Sequence, residues 1–166
     1  MINKINKNLS FLYIGSGYLA AFFLVAVLLF ILTGISSRFF GFYIRGLAEY
    51  SGYSMAASSF FALSYTFYEK AHIRITLFLE KLKIPNKKKA EIWCLSVATI
   101  FSGYLAFYFV KMTYISIQFE ERSEGADEIL IWIPQSTVAL GSILFFICVA
   151  HHLISLILGK KLNKYE

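Results

Sequence analysis

The chain has 166 residues, 58% hydrophobic and only 16% charged, with a net charge of +6. A soluble domain carries charge on about a quarter of its residues, so the surplus apolar surface is expected to face lipid rather than water. The basic residues fall in short clusters between long apolar runs, which excludes a continuous basic face for nucleic acid and suits a membrane surface.

Lys4 and Lys7 precede residues 8–37, which carry no charge. That run far exceeds the ~7–15 residues of a signal-peptide core, so it predicts a retained membrane helix over about 9–33. Gly15 and Gly17 would let a neighbour approach it closely. Gly34, Ser36 and Ser37 then break the pattern. Arg38, Arg45 and Glu49, mixed with Phe39, Phe40, Phe42 and Tyr43, predict a short segment lying in the membrane interface.

A second helix is expected over about 47–68, rich in Ser51, Gly52, Ser54, Ala56, Ala57, Ser58 and Ser59. Helices in lipid associate through such small-residue faces, which makes this helix the one packed in protein. Residues 69–91 are basic, and the stretch around His72, Arg74, Leu77, Glu80 and Lys81 predicts an amphipathic surface helix ended by Pro85 and Asn86. A third helix follows over about 92–118 with one internal charge, Lys111. Residues 119–128 are acidic, and a fourth helix runs over about 129–158, with Pro134 either in its first turn or at a kink.

The amino-terminal segment, the 69–91 connection and the tail hold two, seven and three Lys or Arg, against two and one in the other connections. By the positive-inside rule both termini and the middle connection face the cytoplasm. The expected fold is therefore all-α integral membrane: four transmembrane helices, N-in and C-in, in a single domain over 1–166. An interfacial segment follows the first helix, and a cytoplasmic surface helix lies between the second and third.

A self-sufficient ion-coupled transporter shows carboxylates or helix breaks at mid-membrane. Glu49 lies near a helix end and no Asp or Glu sits deeper in a span, nor is an inverted repeat visible. The sequence therefore points to an auxiliary subunit. Lys111, about two turns or ~10 Å from the end of its helix, either snorkels to the interface or pairs with Glu49 or a partner protein. No nucleophile and base, phosphate loop or zinc spacing appears, so no enzyme activity is expected. Cys94 and Cys148 lie in apolar runs as small packed side chains. His72, and one of the adjacent His151 and His152, stand at depths that would suit a b-type haem. No cofactor is expected, because histidines at an interface without a second axial pair serve packing or headgroup contact.

Arg38-Phe39-Phe40, then Glu49 opening a small-rich span, then His72-Ile73-Arg74-Ile75, then Trp132-Ile133-Pro134 with Gly141 seven residues on, form a pattern across nearly the whole chain. It resembles the small membrane subunit (DctQ- or SiaQ-like) of the tripartite ATP-independent periplasmic (TRAP) transporters. The pattern departs from that family at Thr76, Tyr53 and Ala139. The resemblance implies a bacterial inner-membrane protein whose large multi-helix partner subunit binds sodium and substrate. It also implies a periplasmic binding protein that delivers an organic acid. The small subunit would scaffold the large one and help dock the binding protein. Arg38, Arg45, Glu49, His72, Arg74, Lys111, Trp132, Pro134 and Gly141 are the candidate residues for partner contact or anchoring, Arg74 and its lysines toward anionic lipids. The alternatives are a membrane-anchor subunit of a respiratory complex, with or without b-haem, and a free-standing small transporter or channel.

Overall fold

The computed structural model describes residues 2–70 and 84–158, with side chains over 9–69 and 88–158. The described residues form four helices: α1 (Ile2–Phe39), α2 (Leu47–Lys70), α3 (Ile84–Gln118) and α4 (Trp132–Ile157). Three carry stretches long and apolar enough to cross a membrane: Leu9–Phe39, Lys88–Gln118 and Trp132–Ile157. At 24 residues, or ~36 Å, α2 is long enough too, but its Ser, Tyr and Gly residues lower its hydropathy. The expected surface helix around His72 and Arg74, and the tail beyond Leu158, lie outside the described residues.

α1 is longer than expected at both ends, and Gly34, Ser36 and Ser37 do not break it. The Ser37 hydroxyl donates to the Gly34 carbonyl oxygen at 2.9 Å, which satisfies the side chain on the helix's own backbone. The helix stops instead at Gly41, whose φ is +76°. There the Phe42 N–H donates to the Ser37 carbonyl oxygen and the Gly41 N–H to that of Arg38. This is the paired Schellman closure, which needs a left-handed residue at its pivot. The expected interfacial segment thus shrinks to the turn between Phe39 and Leu47.

α3 also begins earlier than expected, at Ile84 rather than near residue 92. Pro85 and Asn86 therefore lie in its first turn, where a proline forfeits no helical hydrogen bond; the helix expected before them lies outside the described residues. Its far end repeats the closure of α1. The Glu121 N–H donates to the Ser116 carbonyl oxygen and the Glu120 N–H to that of Ile117, with Glu120 itself at φ +48°. α4 starts at Trp132 because Leu130 is taken by a bridge to Arg122. Pro134 accordingly sits in its first turn and makes no kink.

The helices pack in the order α1, α2, α4, α3, and α1 and α3 at the two ends of this row share no packed face. Between α1 and α2, the Ser58 hydroxyl donates to the Ala20 carbonyl oxygen at 2.9 Å, Phe23 and Phe61 stack with centroids 6.0 Å apart, and Gly17 lies against the Tyr65 ring. Gly15 meets nothing. Between α2 and α4, Gly141 lies against the Phe60 and Phe61 backbone. Between α3 and α4, Gly103 receives the Phe146 ring. Ser54, Ala57, Ser58 and Ser64 of α2 are buried inside the chain itself. The small-residue face that marked this helix as packed in protein is thus largely used within the chain, because it lets α1 and α4 close on α2 from both sides.

Candidate functional site

The two short connections, 40–46 and 119–131, meet at the same end of the row, and there the acidic segment folds back onto the start of α2. Its own backbone makes a narrow loop: the Ser123 N–H donates to the Ile129 carbonyl oxygen and the Ile131 N–H to that of Glu121. Glu49, in the first turn of α2, accepts the Ala126 N–H on Oε1 at 3.2 Å. One turn on, the Tyr53 hydroxyl and the Ser123 Oγ lie 2.9 Å apart. Ser123 Oγ also accepts the Gly125 N–H at 3.1 Å.

The fit leaves no room for larger residues. A Cβ on Gly125 would stand 2.7 Å from Glu49 Cγ, and one on Gly46 would stand 2.9 Å from Asp127 Cβ. Both carboxylate oxygens of Asp127 are buried and accept no hydrogen bond among the described residues. Asp127 lies beside the start of α2, where the unpaired N–H groups of the first turn carry partial positive charge. Arg45 reaches Glu128 at 3.7 Å, with both side chains 70% exposed; water screens such a pair and it holds little. The loop is therefore held by Glu49 and Tyr53 rather than by that visible ion pair.

The candidate residues fall in separate places. Arg38 is exposed in the last turn of α1, where the carbonyl end of the helix favours a cation. Glu49 and Arg45 belong to the loop junction. Trp132 and Pro134 open α4, and Gly141 forms the α2–α4 crossing. His72 and Arg74 lie outside the described residues. Lys111 is exposed on α3 with its Nζ 5.9 Å over the Tyr108 ring, and it does not pair with Glu49, whose carboxylate is turned to the loop. The structure brings Glu49 and Arg45 to one junction and leaves the other described candidates apart.

At the opposite end lies a second polar group that the sequence did not reveal. Tyr13 is buried, its hydroxyl 3.3 Å from His151 Nδ1 and its ring 5.2 Å from that of Tyr68. The Tyr68 hydroxyl donates to Ser10 Oγ at 3.0 Å. His152 Nδ1 lies 3.0 Å from the Cys148 carbonyl oxygen, and the Cys148 thiol 3.5 Å from that of Ser64. These histidines join α1, α2 and α4 through protein contacts. Tyr13 and His151 are 138 residues apart, so no local pattern signals their meeting.

A row of long helices with apolar outer faces, pinned at each end by polar contacts, defines a multi-pass membrane protein. Residues 27–159 match the family described as tripartite ATP-independent periplasmic transporters, DctQ component, and the chain belongs to it. It is the small membrane component of such a transporter, in a family without enzymatic activity. That membership replaces the respiratory-anchor and free-standing-transporter alternatives. No curated protein and no solved structure matches the chain.

Proposed function

We propose that this chain is the static wall of a sodium-coupled importer of an organic acid. It widens and steadies a large transport subunit while a periplasmic binding protein delivers the solute. The observation that carries the proposal is where the acids stand. Among the described residues, Glu49 and the carboxylates between Glu120 and Glu128 gather at one end of the row, and Glu69 and Glu91 flank the other. None occupies the middle of an apolar span. A protein that moved a cation and a carboxylate through itself would place carboxylates or helix breaks at mid-membrane.

The outer helices suit the same role. α1 exposes Phe11, Tyr18, Phe22 and Leu29, and α3 exposes Ile100, Phe101 and Tyr104. These are apolar faces for lipid or for a larger neighbour, and they leave α2 and α4 as the internal spine. All four helices cross the bacterial inner membrane as one domain with both termini in the cytoplasm, as the Lys and Arg distribution favours. Phe39, Phe40 and Tyr43 then sit at the periplasmic headgroup level. Arg74 and its neighbouring lysines meet anionic inner-leaflet lipids. The exposed Glu120 and Glu124 of the loop face the binding protein and tune its encounter.

Affinity purification of the tagged chain from its own membranes tests the proposal. A much larger multi-helix protein is expected to co-purify. Proteoliposomes holding both are expected to take up an organic acid with sodium and binding protein, and those holding this chain alone to take up none. Uptake by the chain alone would overturn the proposal, as would labelling of a cysteine placed in the 40–46 turn from the cytoplasmic side only. Charge reversal at Glu120 and Glu124 is expected to slow uptake more at low salt than at high salt.

A further inference from the structure

Lys111 stands in the apolar stretch of α3, about two turns or ~10 Å from its end. Among the described residues it has no carboxylate partner; its Nζ lies over the Tyr108 ring at 5.9 Å. A lysine held in hydrocarbon without a counter-charge costs several kcal/mol unless it reaches a headgroup or a partner. Beside it runs an open groove of about 660 Å³ between α3 and α4, walled by apolar side chains such as Leu105, Met112 and Ile115. Glu121 and Gln135 line the same groove. Among the described residues, Gln135 Oε1 is buried and accepts no hydrogen bond, and Glu121 has only Oε2 engaged, by the Ser116 hydroxyl at 2.7 Å.

The groove thus presents one ammonium that lacks an anion and two acceptors that lack donors, above an apolar trough. We infer that it holds a phosphatidylethanolamine molecule. The lipid's phosphate takes the Lys111 ammonium, its own ammonium donates to Glu121 and Gln135, and an acyl chain runs inward along Leu105 and Phe109. The charge pattern selects this headgroup. Choline carries the positive charge but has no N–H to donate, and phosphatidylglycerol brings the phosphate without the cation. The Lys111 ammonium lies over the Tyr108 ring, one turn toward the middle of α3, and its long stem can swing along apolar surface to the phosphate level; Gln135 lies in the opening turns of α4. Buried acceptors are seldom left unpaired, and the headgroup supplies the missing donors. The inference goes beyond the transport role and does not depend on it.

Delipidated full-length chain in detergent, titrated with phosphatidylethanolamine, phosphatidylcholine and phosphatidylglycerol of identical acyl chains under native mass spectrometry, tests it. One phosphatidylethanolamine is expected to bind about tenfold tighter than phosphatidylcholine, the worth of a hydrogen bond to a charged group. Lys111→Gln is expected to weaken binding about tenfold and Lys111→Arg to preserve it. Gln135→Leu is expected to erase the preference over phosphatidylcholine. In case a variant fails to fold, a diazirine phosphatidylethanolamine in native membranes reads the wild-type chain directly, with label expected on residues 105–116. Equal binding of the three lipids would overturn the inference, as would undiminished binding by Lys111→Gln. So would photolabel confined to other helices, or a crosslinker at Met112 that captures a polypeptide in place of lipid.

Discussion

Gly141 of α4 lies so close to Phe60 of α2 that a Cβ on the glycine would stand 3.0 Å from the Phe60 carbonyl carbon and 3.2 Å from the Phe61 nitrogen. These are backbone atoms, which cannot swing aside as a side-chain tip can. The α2–α4 crossing therefore depends on the hydrogen at this position.

Gly141→Ala is expected to force the two helices apart. Inside a helix, alanine gains about 1 kcal/mol over glycine, while overpacking a tight contact costs about 1–3 kcal/mol. The contact wins here because its nearest atoms, the Phe60 Cβ at 2.7 Å and the backbone behind it, are fixed to the main chain of α2. Thermal unfolding in detergent should show a lower midpoint for Gly141→Ala, and an unchanged or higher one for Gly52→Ala, where a Cβ meets nothing within 4 Å.

The two helix closures at the loop end predict opposite effects of one exchange. Gly41 and Glu120 occupy equivalent left-handed positions, at φ +76° and +48°. Gly41→Ala is expected to cost about 1–2 kcal/mol and Glu120→Gly to gain about 1 kcal/mol. Gly41 has open space for a Cβ, so its penalty is conformational alone. Paired denaturation midpoints check both signs.

The loop junction should respond to loss of its polar contacts. Glu49→Leu removes the acceptor of the Ala126 N–H, and Tyr53→Phe removes the contact with Ser123; each is expected to cost about 1 kcal/mol. The informative readout is local: amide exchange over 123–131 should accelerate while the centre of α4 stays protected. A Tyr53→Phe and Ser123→Ala cycle should give a coupling near the cost of Tyr53→Phe and below that of Ser123→Ala, which also loses the Gly125 N–H contact.

Arg45→Ala, by contrast, is expected to change stability by less than about 0.5 kcal/mol, since its pair with Glu128 is exposed on both sides. A salt titration should leave the small difference between the Arg45→Ala and wild-type midpoints almost unchanged for the same reason.

The apolar runs are legible in the sequence because hydropathy is additive along the chain, and stretches of about 20 residues or more are long enough to cross lipid as helices. They place α1, α3 and α4, while its run of small residues marks α2, and the motif pattern points to the family. The boundaries are less legible. Serines after Gly34 look like breakers, yet within a helix their hydroxyls bond back to the carbonyls behind them, as Ser37 does to Gly34. Pro85 stands in the first turn of α3, which starts earlier than the apolar run suggests, since a proline is tolerated at a helix start.

Sequence by itself determined that this protein lives in a membrane, that no acid sits deep in its apolar runs and that it belongs with transporter subunits, because composition and motif require no partner in space. Only the tertiary structure decided that Glu49 turns to Ala126 rather than Lys111, that Tyr13 finds His151 and that the small face of α2 is filled from within. Each of these joins residues far apart in the chain. Their meeting depends on how helices cross, and crossing is set by the summed fit of many side chains rather than by any local pattern.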